Sequence, residues 1–194
     1  MVLHIFDFDG TLYKKDSMLD FIRLVHSSKL KYYLINFMFI PTFLLRLLNL
    51  ISFETYKSRF IKMHFKGVNR NLLNDFSKVF KSRFSDSLFP GVKDFIDNAV
   101  GDKCIVTASL DIWMEGVSDS LGVDLICTKS VFINDSFIKI SKNCNYKEKK
   151  IRVKEKYTLE KYSKIYIYGN SKGDFDLYTL GIKRHNYFKH YSNK

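Results

Sequence analysis

Short apolar runs alternate with helical patterns along most of the chain. The first run, Val2–Phe6, is apolar and ends at a polar segment that contains Gly10, which is typical of a buried strand in a parallel sheet. Alternation resumes after Pro90, and it predicts an α/β domain with a parallel sheet. The elements predicted there are a helix at Gly91–Ala99, a strand at Lys103–Thr107, a helix at Leu110–Leu121, a strand at Val123–Cys127, a hairpin of Val131–Ile133 and Phe137–Ile140 that turns at Asn134-Asp135, a basic helix from about Lys147, a strand at Ile165–Tyr168 and a short helix that ends at Gly181.

Residues 16–85 have a helical pattern without strand alternation. Asp16 or Ser17 can cap a first helix that runs to Val25, and amphipathic helices are predicted at Tyr56–Phe65 and Asn71–Phe84. A block of roughly 70 residues is too long for a single crossover between strands. We therefore expect a core of residues 1–15 and 87–194, with an inserted all-helical cap at residues 16–86.

The 194 residues fit one domain, or one domain that carries an insertion. Cys104, Cys127 and Cys144 are odd in number and lack CxxC spacing, which argues against a disulfide framework or a zinc site. The amino terminus enters a β-like run directly, unlike a signal peptide. These features favour a cytoplasmic protein.

The chain carries 32 basic and 20 acidic residues, a net charge of +12. This excess could attract phosphorylated small molecules, anionic lipid or nucleic acid, or the lysines could simply solvate helix faces. Since no recognised nucleic-acid motif is present, we expect no nucleic-acid partner.

The segment from Tyr32 to Ile51 is very apolar, and its polar side chains are Asn36, Thr42, Arg46 and Asn49. A spanning helix needs about 20 apolar residues, and Pro41 interrupts this run. Three readings are open: a buried pair of cap helices, an apolar face in the membrane interface, helped by Lys29, Lys31 and Arg46, or a membrane span, which the break at Pro41 disfavours. The second reading would give peripheral association with the inner face of the membrane.

Polar side chains follow the predicted strands where ligands bind in open α/β sheets. Asp7 and Asp9 follow the first strand, Thr107 ends a second, and Asn170 and Asp174 follow a third. A basic group begins a helix that can point at the same edge; it consists of Lys147, Lys149 and Lys150. Carboxylates, a hydroxyl and an ammonium group, with a metal ion, are what phosphoryl transfer needs.

In this order the residues resemble the four motifs of the haloacid dehalogenase (HAD) phosphatases: Asp7–Thr11 (DFDGT), Thr107, Lys149 and Gly169–Asp174. With its cap between the first two motifs, the chain resembles the phosphoserine-phosphatase-like branch of this family. Further segments look most like a bacterial group that includes phosphatidylglycerophosphatase C; they are Asp16-Ser17, Phe89–Gly91, Thr107–Leu110 and Asn143-Cys144. The resemblance implies a Rossmann-like parallel sheet, the HAD fold, with a helical cap after the first strand.

The resemblance also implies roles. Asp7 would attack phosphorus and form an aspartyl-phosphate, and Asp9 would serve as general acid and base. Thr107 would hydrogen-bond a phosphoryl oxygen, and Lys149 would balance charge. Mg²⁺ would be held by Asp7, by the backbone carbonyl of Asp9 and by the fourth motif through Asn170 and Asp174.

The sequence departs from the family pattern at two positions. Position 170 is Asn where most relatives carry Asp, which lowers the charge at the metal site, and Tyr146 stands where relatives carry Gly before the lysine. Asp16 and Ser109 are the candidate substrate-binding residues, although Asp16 could equally be a helix N-cap.

We expect a Mg²⁺-dependent phosphomonoester hydrolase whose substrate is a lipid or headgroup phosphate. The alternatives are a soluble small-metabolite phosphatase of the phosphoserine kind and a non-catalytic HAD relative that binds phosphate or a partner, which Asn170 motivates.

Overall fold

The computed structural model of the protein describes residues 1–26 and 28–191. Five parallel strands form the central sheet in the order β3-β2-β1-β6-β7, and β4 and β5 form a separate antiparallel hairpin. The strands are β1 (Val2–Phe6), β2 (Asp102–Leu110), β3 (Asp124–Thr128), β4 (Ser130–Ile133), β5 (Ser136–Ile140), β6 (Lys164–Gly169) and β7 (Ile182–His185). The predicted α/β parallel sheet is confirmed.

Helices cover both faces of this sheet and fill the segment between β1 and β2. They are α1 (Ser17–Val25), α2 (Lys29–Met38), α3 (Ile40–Leu47), α4 (Phe53–Phe65), α5 (Arg70–Arg83), α6 (Val92–Asn98), α7 (Asp111–Leu121), α8 (Lys147–Lys156), α9 (Phe175–Tyr178) and α10 (Tyr187–Tyr191). The predicted short helix before Gly181 ends three residues early, at Tyr178.

Strand β1 is buried on both faces because it lies at the middle of the sheet. Leu3 and Ile5 belong to the apolar cluster on one side, and Phe6 belongs to the cluster on the other, where it stacks on Tyr168 at 4.7 Å between ring centroids. A run with apolar side chains on both faces is typical of a central parallel strand. The burial of β1 therefore holds the residues that follow it at the carboxyl edge of the sheet.

The helical segment between β1 and β2 is tied to the hairpin of β4 and β5 by backbone hydrogen bonds. Gly67 donates to the carbonyl of Phe137 at 3.0 Å, Phe137 donates to Val68 at 2.9 Å, and Arg70 donates to Asp135 at 2.7 Å. The division into a core (residues 1–15 and 87–194) and a cap (residues 16–86) stays a prediction.

Helices α2 and α3 contain no fully buried residue. Their large apolar side chains, with those of the turn into α4, form a surface that we call the α2–α3 face: Leu30, Tyr33, Leu34, Phe37, Met38, Ile40, Phe43, Leu44, Leu47, Leu48, Leu50 and Phe53. Among residues 1–26 and 28–191, no helix has both the length and the apolar character to cross a membrane.

Candidate active site

Asp7 and Asp9 point into one cavity of about 230 Å³ at the carboxyl edge of the sheet. Phe8, between them, is fully buried on the other side. This alternation is what an extended chain produces, and it brings the two carboxylates together. The other residues that line the cavity are Asp16, Met18, Phe53, Lys57, Thr107, Ala108, Ser109, Asn145, Lys149, Asn170 and Ser171.

The ammonium group of Lys149 lies between two carboxylates. Its Nζ donates to Oδ1 of Asp7 at 2.6 Å and to Oδ1 of Asp174 at 2.7 Å, and the lysine is only 2% exposed. Lys147 is exposed, and Lys150 is partly exposed. Of the three lysines that the sequence left as alternatives, Lys149 is therefore the one that contacts Asp7.

Asp174 is fully buried behind Lys149, and both of its oxygens are occupied. Oδ2 accepts from the backbone nitrogen of Asn170 at 3.2 Å and from the backbone nitrogen and hydroxyl of Ser171 at 3.1 Å each. These contacts favour a role in holding Lys149. Direct metal ligation by Asp174 stays a prediction.

The Asp7 carboxylate is held at both ends. Thr11 donates through its hydroxyl to Oδ2 at 3.1 Å, while Lys149 occupies Oδ1. The backbone nitrogen of Asp7 donates to the carbonyl of Tyr168 in β6 at 2.8 Å, which continues the strand pairing to the site. The orientation of Asp7 is thus set before any substrate arrives.

Asp9 is held by two serines. Ser109 donates to its Oδ2 at 2.6 Å, and the backbone nitrogen of Ser17, at the start of α1, donates to its Oδ1 at 2.7 Å. Trp113 donates to the Ser17 hydroxyl at 3.1 Å. Ser109, predicted to bind substrate, therefore also positions Asp9.

Burial dominates the electrostatics of the two aspartates. It raises the pKa of Asp7 to about 6, although the Lys149 ammonium acts in the opposite direction. Burial and the charge of Asp16 raise the pKa of Asp9, and the hydrogen bonds from Ser109 and Ser17 only partly offset this. Burial also lowers the pKa of Lys149, but Asp7 and Asp174 outweigh it and leave that pKa raised. A raised pKa favours the protonated form of a carboxyl group, which is the form that a general acid needs.

Asn170 carries an unsatisfied oxygen. Its Oδ1 is buried and has no hydrogen-bond partner among the described residues. A buried acceptor without a donor is costly, and a bound cation would satisfy it. Asp7, the backbone carbonyl of Asp9 and Asn170 supply oxygen donors of the kind that Mg²⁺ takes, so the residues present fit the metal. Among residues 1–26 and 28–191, no three His, Cys, Asp or Glu side chains form a metal-binding group.

Thr107 and Asp16 both reach the cavity. Thr107 is 1% exposed, and its hydroxyl oxygen accepts from the backbone nitrogen of Ser109 at 3.1 Å. Asp16 caps α1 by accepting from the backbone nitrogen of Leu19 at 3.0 Å. Asp16 thus serves as the N-cap that the sequence allowed, and it still lines the cavity.

Lys57 is a site residue that the sequence reading missed. It projects from α4, is 6% exposed, and donates to the carbonyl of Ala108 at 2.6 Å and to Oδ1 of Asn143 at 3.0 Å. Burial lowers its pKa to about 8. A signal was present, because Lys57 interrupts the apolar face that Phe60 and Ile61 continue on the same helix.

Tyr146, which stands where the resemblance implies glycine, has a positive φ. Its φ is 48° and its ψ is −128°, in a region that favours glycine. Tyr146 immediately precedes α8, which carries Lys149. The backbone at position 146 therefore has a conformation that glycine adopts more readily than tyrosine.

Comparisons with known proteins show the family and the fold of the chain. The model of the haloacid dehalogenase-like hydrolases matches residues 5–178. No match was found among curated proteins.

Three solved structures show a similar fold. A protein of unknown function from Bordetella pertussis Tohama I has a TM-score of 0.76 at 18% identity, over 92% of this chain and 86% of that one. A phosphoserine phosphohydrolase-like protein from Francisella tularensis subsp. tularensis SCHU S4 has a TM-score of 0.64 at 19% identity, over 93% of this chain and 83% of that one. A phospho-aspartyl intermediate analogue of phosphoserine phosphatase has a TM-score of 0.64 at 14% identity, over 97% of this chain and 89% of that one. The HAD fold that the motifs predicted is confirmed, and the chain belongs to the haloacid dehalogenase-like hydrolase family.

Proposed function

We propose that the protein is a Mg²⁺-dependent phosphomonoester hydrolase that works through an aspartyl-phosphate on Asp7. The observation that carries this proposal is the position of Lys149, whose Nζ lies 2.6 Å from Asp7 and 2.7 Å from Asp174 beside a cavity that Asp9 also lines. A nucleophilic carboxylate, a second carboxylate and a buried cation together match the needs of phosphoryl transfer.

In the first half of the reaction, an oxygen of Asp7 attacks the phosphorus of the substrate. The bond from phosphorus to the leaving oxygen breaks as the bond to Asp7 forms, and protonated Asp9 gives its proton to the leaving alcohol. The raised pKa of Asp9 supports this role. Ser109 and Ser17 keep the Asp9 carboxyl aimed at the leaving group.

In the second half, water attacks the phosphorus of the aspartyl-phosphate. Asp9, now deprotonated, takes a proton from that water, and the bond from phosphorus to Asp7 breaks. Inorganic phosphate leaves, and both aspartates return to their starting states. Splitting the hydrolysis in this way replaces one difficult displacement by two easier ones.

Cationic and hydroxyl groups balance the charge of the phosphoryl group. Lys149 neutralises Asp7, and Thr107 offers its hydroxyl to a phosphoryl oxygen. Asp7, the carbonyl of Asp9 and Asn170 would hold Mg²⁺. When bound, the ion supplies positive charge opposite the phosphoryl oxygens.

Residues 16–86 would act as a cap that selects the substrate. Helix α4 brings Lys57 and Phe53 to the cavity, and Asp16 faces it from the start of α1. We assign the substrate as a lipid or headgroup phosphate because Phe53 is both a cavity residue and 43% exposed, so the cavity mouth has an apolar rim. The net charge of +12 favours an anionic substrate.

A soluble metabolite phosphatase is the second candidate. The observation that favours it is the pairing of a carboxylate, Asp16, with an ammonium group, Lys57, in the same small cavity. Such a pair could receive a zwitterion of the phosphoserine type. Comparing hydrolysis of phosphoserine with that of a glycerol-based lipid phosphate separates the two candidates, since each predicts the opposite preference.

The test of the proposed chemistry is the covalent intermediate. We expect acid-quenched enzyme to carry label after mixing with Mg²⁺ and a radiolabelled phosphomonoester. The Asp7→Asn variant should fold normally, carry no label and lose turnover. Asp97→Asn, which makes the same change at an exposed position, is the control. Label on the Asp7→Asn protein would show that another residue is the nucleophile. A wild-type protein with neither turnover nor Mg²⁺ binding would favour the non-catalytic binding protein.

A further inference from the structure

The outer side of α2 and α3 is apolar, although most of the surface of its side chains is exposed. Phe37 is 71% exposed and Leu47 is 65% exposed. Scattered apolar side chains are normal on protein surfaces, but a contiguous set of this size marks an interaction site.

The inner side of the same two helices is already satisfied. Phe39, at their junction, is 3% exposed and packs against Tyr56 and Phe60 of α4, at 5.2 and 5.0 Å between ring centroids. A surface helix that uses one apolar side for its own fold normally has a polar opposite side. Because α2 and α3 carry apolar residues on both sides, we expect the outer side to contact a partner and not water.

The charge of this region favours an anionic partner. Between Asp20 and Glu54 the sequence contains no Asp or Glu, whereas it contains Arg23, Lys29, Lys31 and Arg46. Basic residues beside an apolar helix face are typical of helices that lie on anionic lipid. A second copy of the chain would bring the same charges and a further +12, so repulsion opposes self-association through this face.

The lengths of the helices fit a position in the interface plane. At a rise of about 1.5 Å per residue, α2 with its ten residues and α3 with its eight extend about 15 and 12 Å. The hydrocarbon layer of a bilayer is about 30 Å thick. Helices of this size can bury one side among the headgroups and leave the other on the protein.

The α2–α3 face is continuous with the catalytic cavity. Leu50, in the turn before α4, is 66% exposed, and Phe53 belongs to the face and lines the cavity together with Met18. A lipid at this face would bring its headgroup to the cavity mouth while its chains stay in the bilayer.

We infer that the α2–α3 face docks the protein on an anionic lipid surface, with Phe53 at the passage from that surface to the active site. The delivery of a lipid substrate rests on the proposed function, whereas docking itself needs no catalysis.

Cosedimentation of the full chain with vesicles tests the inference. We expect binding to phosphatidylcholine vesicles that contain phosphatidylglycerol, and weaker binding to vesicles of phosphatidylcholine alone. The double variant Phe37→Asp, Leu47→Asp should lower vesicle binding by about tenfold or more, because two apolar side chains are replaced by charges that anionic lipid repels. It should still hydrolyse a small soluble phosphomonoester. Val100→Asp is the matched control, since Val100 is 83% exposed and lies outside the face.

The outcomes separate docking from catalysis. Asp7→Asn protein should bind vesicles like the wild type, because docking needs no catalysis. A wild-type protein that binds anionic vesicles but hydrolyses no phosphomonoester would count against the proposed function alone. No binding to anionic vesicles, or equal binding to uncharged ones, would overturn the inference. The inference would also be overturned if the wild type formed a dimer that does not bind vesicles and the double variant were monomeric, because a second copy of the chain would then cover the face.

Discussion

A Cβ atom on Gly10 would lie 2.0 Å from the side-chain nitrogen of Asn170. The turn after β1 and the loop after β6 are therefore in direct contact at the candidate metal site. Gly10 also has a φ of +74°, a conformation that residues with a side chain rarely adopt. The absence of a side chain at position 10 thus keeps the Asn170 amide in place.

Gly10→Ala should displace Asn170 and raise the Mg²⁺ concentration needed for activity. It should also destabilise the fold by about 1 kcal/mol through its left-handed backbone. The measurements are a Mg²⁺ titration of hydrolysis and denaturant unfolding. Gly67→Ala is the control: Gly67 has a φ of +78° and open space around it, so this variant should lose stability and keep its Mg²⁺ requirement. Identical titrations for both variants would contradict the assignment of Asn170.

Asn170→Asp should tighten Mg²⁺ binding, because it places a formal negative charge on an oxygen donor. The apparent Mg²⁺ constant for hydrolysis and the rise in melting temperature on adding Mg²⁺ measure the effect. Asn145→Asp puts the same charge in the same cavity at a position we do not assign to the metal. Equal tightening by both variants would attribute the effect to charge alone, and an unchanged titration for Asn170→Asp would argue that residue 170 is no ligand.

Stabilisation by Mg²⁺ should grow as the pH rises through about 6. Burial raises the pKa of Asp7 from 3.8 to about 6 in the metal-free protein. Since the folded pKa exceeds the unfolded one, Asp7 contributes stability at low pH that is lost as the pH rises from about 4 to about 6. Mg²⁺ binds the deprotonated carboxylate and competes with that proton. Melting temperatures with Mg²⁺ and with EDTA test this at several pH values. In Asp7→Asn, the rise in melting temperature caused by Mg²⁺ should no longer depend on pH. A rise that is independent of pH in the wild type would contradict the prediction.

Lys57→Met should raise KM for an anionic phosphomonoester by about tenfold, with a smaller effect on kcat, because it removes a buried positive charge from the cavity. Lys62→Met removes the same charge from an exposed position on α4 and should leave KM unchanged. Lys57→Arg should restore part of the affinity. If Lys57→Met keeps the wild-type KM, Lys57 only links α4 to the carbonyl of Ala108.

The elements that form the site could be predicted where local chemistry specifies them. The apolar run of β1 stops at Asp7, so its bounds follow from the sequence alone. The hairpin turn is set by Asn134 and Asp135, which both adopt positive φ, at 48° and 58°. Asn and Asp adopt positive φ more readily than most residues, so the turn could be predicted from the sequence.

Other features depend on contacts that no local pattern contains. Strand β7 is exposed along its length, and three of its four residues are Lys183, Arg184 and His185, so only its pairing with β6 makes it a strand. The resemblance implied that Lys149 balances charge at the site, but its hydrogen bond to Asp174 at 2.7 Å follows from no local pattern. Ser109 was predicted to face substrate, and its hydrogen bond to Asp9 depends on how the end of β2 packs beside the turn after β1.

The middle position of β1 shapes how the enzyme must fold. Leu3 pairs with Asp102 on one side, and Val2 pairs with Lys164 on the other. Both partners follow β1 in the chain, so β1 waits for segments that the ribosome makes later, and long-range parallel pairing of this kind is slow. During that wait its apolar residues are open to misassociation, which makes chaperone protection valuable. Asp7, the proposed nucleophile, consequently acquires the surroundings supplied by β2, β6 and Lys149 only after these later segments are made.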